Sequence, residues 1–380
     1  MKSFTRFAAT AAVTLAAGAV FASSASAASG PAGHGHGANA SAVFVQTDNT
    51  AGNTVVAYQR SASGTLTAAG SYATHGLGGV LAGSVVDHLA SQGSLTYDQQ
   101  HNLLYAVNAG SNTVSVFAVD GDRLSLLQVV HSGGTFPVSV AVRGDLVYVL
   151  NAEAGGSIQG FVVAGDRLVS VPGWNRPLGL DPAATPQFVN TPGQVGFTGD
   201  GSQLVVTTKA NGNDIDVFNL SWLGAPSAKP VVNAEPGAVP FSFVDSGANK
   251  LYLTEAGTDS VATFTVNRDG TVTQDAISAT GQAATCWIVQ SDGLLYASNA
   301  GSADLSGYRA GGSGLTALGT TPTDPGSVDA AVSGNGKFLY SQTGGNGIVD
   351  EFAIGADGSL TALGSVTVPG AVGGEGIVAL

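Results

Sequence analysis

Three stretches of the chain spell nearly the same pattern: LLYAVNAGSNTVSVFAV from Leu103, KLYLTEAGTDSVATFTV from Lys250 and LLYASNAGSADLSGYRA from Leu294. Repetition at this length constrains the fold strongly, because one unit buries its apolar faces only against further copies of itself. Aligning on the apolar hexamer gives seven copies: AVFVQT at Ala42, LLYAVN at Leu103, LVYVLN at Leu146, LVVTTK at Leu204, KLYLTE at Lys250, LLYASN at Leu294 and FLYSQT at Phe338. Successive starts lie 61, 43, 58, 46, 44 and 44 residues apart. The basic period falls in the range of four-stranded propeller blades, about 40–50 residues.

Each copy has the same internal order. A short apolar strand such as SVAVRG or FSFVDS precedes the hexamer, which is the second strand. A Gly/Asn turn follows, as in NAGSN or EAGTDS, then an alternating third strand such as TVSVFAV. Tight turns containing Gly (VDGD, VAGD, NRDG, GADG) reverse the chain into a fourth strand. Gly and Asn suit these hairpins because they tolerate positive φ. The first copy lacks its first strand, since the chain passes directly into AVFVQT. The chain ends on an orphan, GEGIVAL, that matches a first strand and nothing else. The expectation is an all-β, seven-bladed β-propeller over residues 42–380, with four-stranded antiparallel blades. Its ring is closed by the C-terminal strand, which removes a free sheet edge.

The segment LLYAVNAGSNTVSVFAV resembles the YVTN-type repeat of lactonase-family seven-bladed propellers, a group similar to 6-phosphogluconolactonases and carboxymuconate cyclases. The resemblance covers Ala42 to Leu380. It implies a propeller that hydrolyses or cyclises a small lactone or ester at the mouth of its central channel, without a cofactor. It also implies a Pro-Arg-His-like segment before an inner strand and a Glu ending the next strand. Here the best-placed match is TPGQVGFTGDGSQLVVTTK, Thr191 to Lys209. Pro192 fits, but Gly193 and Gln194 replace the Arg and His, and Lys209 replaces the Glu. The basic cluster that would hold a sugar phosphate is missing too.

Composition sets the partners. The 380 residues carry a formal charge of −13 and a pI near 4.6, so a phosphate backbone is repelled and nucleic acid is excluded as a partner. Lys2 and Arg6, the apolar stretch Phe7–Phe21 and the small-residue site Ala25-Ser26-Ala27 read as a secretory signal over residues 1–27. A Gly/Ala linker containing His34 and His36 follows over residues 28–41. The mature chain is then an extracellular monomer with no membrane span, acting on a small-molecule ligand or binding an extracellular protein. Cys286 has no second cysteine to pair with inside the chain, and it is read as a buried residue of an inner strand.

Chemistry is expected where the hexamers end, because that face also carries the two longest connections, Thr74–Gln92 and Trp174–Pro192. The hexamer ends are Thr47, Asn108, Asn151, Lys209, Glu255, Asn299 and Thr343. Lys209 and Glu255 are the charged members and belong to consecutive copies. With Glu375, just before the closing strand, they form the candidate catalytic set for polarising and deprotonating an ester. Asn108, Asn151, Glu153, Gln194 and Asn299 are the candidate binding residues. The competing reading makes Lys209 and Glu255 a structural ion pair, makes the long connections a plug or edge cover, and makes the whole a non-catalytic binding propeller. His75, His88, His101 and His131 form no metal-ligand pattern on any strand, and the neighbours Asp87 and His88 are expected to point apart, so no metal is expected.

Overall fold

The computed structural model describes residues 41–312 and 314–380. The segments read as an export signal, residues 1–27, and, but for its last residue, as a linker, residues 28–41, lie outside the described residues. From Ser41 onward the chain forms seven four-stranded antiparallel sheets. The inner strands touch their neighbours in chain order all the way round, which makes a ring of blades.

In blade one the order from the centre outward is Ile377–Ala379, Ala42–Gln46, Thr54–Arg60 and Leu66–Ala73. The last strand of the chain therefore lies against the first, with Val43 opposite Ala379, Phe44 opposite Val378 and Val45 opposite Ile377. Two more backbone bonds extend this seam, from Gln46 N to the Gly376 carbonyl and from Leu380 N to the Ala42 carbonyl. Closure is the one the missing and orphan strands predict.

The hexamers are apolar at their centres and buried even at their polar ends, because each second strand is covered on both faces by neighbouring blades. Leu103–Asn108, Leu294–Asn299 and Phe338–Thr343 are buried at every position. The outer strands, such as Arg123–His131, bury few residues and meet solvent.

The aromatic inside the hexamer has a second task. The Tyr340 hydroxyl of blade seven donates to the Gly64 carbonyl in the outer hairpin of blade one, at 2.7 Å. Tyr296 of blade six reaches Gly358 of blade seven at 3.0 Å, and Tyr148 of blade three reaches Gly224 of blade four at 2.6 Å. Each glycine has a φ of 90–95°, which L side chains rarely adopt. A Cβ on Gly64, Gly224 or Gly358 would also press on Phe338, Leu146 or Leu294, the first hexamer residue of the preceding blade. The repeated tyrosine and the repeated hairpin glycine are thus two halves of one joint between blades.

Blade four departs from the sequence alignment. Leu204 pairs with Phe218 as Leu104 pairs with Phe117 and Val147 with Phe161, so the true hexamer runs from Gln203 to Thr208. Lys209 is one residue beyond the hexamer and opens the one-turn helix Lys209–Gly212 with φ 52°. A one-residue slip exchanges the two faces of a strand, so the correction changes where Lys209 is placed. The connection read as Trp174–Pro192 is shorter than expected as well: its first four residues belong to the outer strand Arg167–Pro177, where Trp174 stacks on Tyr148.

Candidate functional site

The first long connection does not stand above the channel; it fills it. Ser91 Oγ donates to the Val138 carbonyl of blade three, and the Trp287 indole of blade six donates to the Ser91 carbonyl. Gln92 bonds both ways to Ile288 of blade six, its amide donating at 3.0 Å and accepting at 2.9 Å. Gln92 N reaches the Gly193 carbonyl of blade four, and His88 N reaches the Gly373 carbonyl beside blade one. One short segment touches blades on opposite sides of a ring only by crossing its middle. Leu81, Leu89 and Ala90, each fully buried, anchor it among Phe136, Phe241 and Trp287.

The candidate catalytic residues Lys209 and Glu375 lie beneath this plug, 1% and 0% exposed. Lys209 Nζ donates to the carbonyls of Ala90 and Phe188, both at 2.6 Å, and sits 5.2 Å from the centre of the Phe241 ring. Burial pulls its pKa down, against the pull of Asp87 and Glu375. Glu375 accepts from Ser91 N at 3.1 Å and from the Ser91 hydroxyl. Burial pushes its carboxyl well above the usual range, and Asp87, Asp48 and Asp329 push it further. Glu255 does not join them. It accepts from Ser260 at 2.8 Å and from Thr258 at 3.1 Å, within its own turn. The structure therefore brings Lys209 together with Asp87 and Glu375, while Glu255 turns to its own blade.

The expected binding residues divide. Asn108 donates to Ser115 and Thr113, and Asn299 donates to Asp304 and Ser306 and accepts from Thr285; both are fully buried. Asn151 makes the equivalent contact to Ser157, at 3.4 Å. The asparagines at the hexamer ends pin the second-to-third-strand turns. Gln194 is likewise committed, donating to and accepting from Phe243 of blade five. Glu153 is the exception. It lies half-buried in a pocket of about 170 Å³ outside the plug, between blades three and four. Asp181, Gln187, Asn190, Thr191 and Asn211 complete the polar wall, and Pro182 and Leu180 close one side. The second connection builds this pocket: Asn211 Nδ2 ties down the carbonyls of Asp181 and Asn190, and Asp181 N returns a bond to Asn211 Oδ1. The lining residues include no Lys, Arg or His.

Sequence reasoning did not single out Asp48, Asp329, Ser91 or Gln92. Asp329 carried a readable signal, a carboxylate inside the apolar inner strand Ser327–Val332. Asp87 and His88 diverge as expected: Asp87 is buried near Lys209, and the half-buried His88 faces the Asp48 carbonyl. Cys286 is free and buried on its inner strand. His101 bridges Asp98 at 2.7 Å and Asp145 at 3.2 Å, far from the plug in the turn after Leu95–Asp98. Among the described residues no three His, Cys, Asp or Glu side chains group to hold a metal ion, and no helix is long and apolar enough to cross a membrane.

No protein-family model matches the chain, and no curated protein matches it in sequence. Solved structures do match. A protein from Bacteroides uniformis, provisionally described as a 6-phosphogluconolactonase, superposes with a TM-score of 0.70 at 19% identity, over 88% of this chain and 98% of its own. A protein from Lactobacillus plantarum gives 0.70 at 22% identity, over 87% and 97%. The periplasmic gluconolactonase of Pseudomonas aeruginosa gives 0.68 at 16% identity, over 88% and 98%. These likenesses agree with the lactonase-type propeller read from the repeats, and at such identities they speak for the fold alone.

Proposed function

We propose that this chain is an exported, lactonase-like propeller that takes a small, neutral, hydroxylated lactone in the pocket between blades three and four. The observation that carries the reading is the wall of that pocket: two carboxylates, Glu153 and Asp181, with amides and a hydroxyl around them and no cation. Carboxylates accept hydrogen bonds from the hydroxyls of a sugar-acid ring, whereas a phosphate there would meet only like charge. The likeness to a periplasmic gluconolactonase supports the substrate class and a place outside the cytoplasm. In this reading Glu153 is the general base. It removes a proton from water as the water attacks the lactone carbonyl, the ring ester bond breaks, and the ring oxygen leaves as a hydroxyl once protonated. Lys209 and Glu375, expected from sequence as catalytic, hold the plug instead, through Ala90 and Ser91.

A second reading, a binding propeller without catalysis, is favoured by one observation. The side-chain amides of Gln187, Asn190 and Asn211 are already bonded to Glu153 and to backbone carbonyls. That leaves the pocket short of donors for the charge that develops on a lactone oxygen. Assay of neutral and phosphorylated sugar-acid lactones on wild type and Glu153→Gln separates the two. Catalysis requires hydrolysis of a neutral lactone that falls about 100-fold or more in Glu153→Gln. Wild type that raises no hydrolysis above the uncatalysed rate, yet gains thermal stability from the same lactones, establishes binding alone. Wild-type activity unchanged in Glu153→Gln refutes the pocket as the seat of the reaction.

A further inference from the structure

The centre of the ring holds more acid than its packing requires. Asp48, from the turn after the first hexamer, is 1% exposed; Asp87, on the plug, 7%; Asp329, on the inner strand of blade seven, 4%; and Glu375, before the closing strand, is fully buried. They form one chain of contacts and fields. Asp48 Oδ2 accepts from Glu375 N at 2.8 Å, Glu375 accepts from Ser91 on the plug, and Asp329 acts on both Asp48 and Glu375. Among the charged groups that act on this cluster, Lys209 is the cation. The remaining titratable groups here are Cys286 of blade six, influenced in turn by Asp259, and His88 on the plug; burial pushes the thiol's pKa up and the imidazole's down. The plug's contacts with Phe136, Val138 and Ser139 of blade three, Gly193 of blade four, Phe241 of blade five and the glycines of blade seven beside Val86 add no charge.

With every carboxyl ionised, four negative charges would face one ammonium in a space closed to water. Buried charge that outnumbers its partners is among the costliest arrangements a fold meets. The relief available is local, because the segment from Gly83 to Gly93 lies in a connection between strands and is bounded by glycines at φ 88° and 89°, conformations that glycine adopts without strain. Its apolar anchors, Leu89 and Ala90, hold it in place against that charge.

We propose that the segment Gly83–Gly93 is a pH-released plug, seated while Asp48, Asp87, Asp329 and Glu375 retain protons and displaced from the channel when they ionise. The direction follows from linkage. Burial raises Asp48 and Asp329 from 3.8 to about 7, and it raises Asp87 and Glu375 in the same sense. The seated state thus binds more protons than the released state between about pH 4 and pH 7, and its advantage shrinks as pH rises through that window. Displacement would expose Lys209 and Glu375 and open a water path through the ring, so the same step would control access to both.

Hydrogen–deuterium exchange of the mature protein from pH 5 to pH 9, corrected for intrinsic amide rates, tests this directly. Peptides covering 81–93 should lose protection at least tenfold between pH 5 and pH 8.5, while peptides covering the hexamers Leu146–Asn151 and Leu294–Asn299 keep theirs. Asp48→Asn and Asp329→Asn, singly and then together, should make the loss progressively shallower, because each removes a proton from the linkage. Plug protection that follows hexamer protection at every pH overturns the proposal, and so does a double variant whose pH profile matches wild type. If the variants do not fold, the wild-type titration alone decides.

Discussion

Deleting Gly376–Leu380 removes the closing strand and leaves Glu375 in place. The loss can be worked from the contacts. Ile377 is 5% exposed, and burying such a side chain stabilises by about 1.5–3 kcal/mol. Val378 and Ala379 are half-buried and contribute about 1 kcal/mol together. The inner edge of Ala42–Gln46, buried at every position, loses its backbone partners, at about 1 kcal/mol or more for the set once water reaches them. Arg60 also loses its 3.0 Å bond to the Leu380 carbonyl. The sum is roughly 4–6 kcal/mol, close to the whole net stability of a domain at the lower end of about 5–15 kcal/mol. Urea unfolding of a chain starting at Ala28, followed by far-UV circular dichroism, should therefore show a collapsed or absent cooperative transition in the deletion. A transition within about 1 kcal/mol of wild type would mean that ring closure does not depend on the terminal strand.

Tyr340→Phe deletes only the hydroxyl that donates to Gly64 and should cost about 1 kcal/mol in the same unfolding assay. Gly358→Ala, at φ 90° with a new Cβ 2.5 Å from Leu318, should cost more, about 2–3 kcal/mol; two neutral substitutions would remove the joint between blades from the account. Export with cleavage after Ala27 should give a secreted chain whose N-terminal sequence starts within a few residues of Ala28, and a cytoplasmic chain retaining Met1 would contradict it.

The architecture was legible because it is written seven times. The hexamers, the hairpin glycines and the orphan last strand each repeat a local rule, and local rules survive reading one residue at a time. Blade four was misread for a physical reason. Its hexamer has Val205 where the copies at Leu103, Leu146, Lys250 and Leu294 have Tyr, so nothing fixed the register until the pairing of Leu204 with Phe218 was seen. The site was less legible because it depends on contacts between distant residues. Asn108 and Asn299 look like rim groups in sequence, yet their amides are taken by Ser115 and Ser306 seven residues later. The plug has no period at all; its place in the channel is set by Gln92 meeting Ile288, 196 residues away. Glu153, read as a channel-mouth residue, lines a pocket between blades three and four instead, because its turn lies beside the second long connection.

The most direct test of where the chemistry resides is a crystal structure with a non-hydrolysable lactam of a neutral sugar acid bound at low pH, where the plug is seated. The lactam should lie between blades three and four, its hydroxyls on Glu153 and Asp181, with Ser91 and Gln92 still crossing the channel. A lactam found inside the channel against Lys209 and Glu375, with that segment displaced, would contradict it.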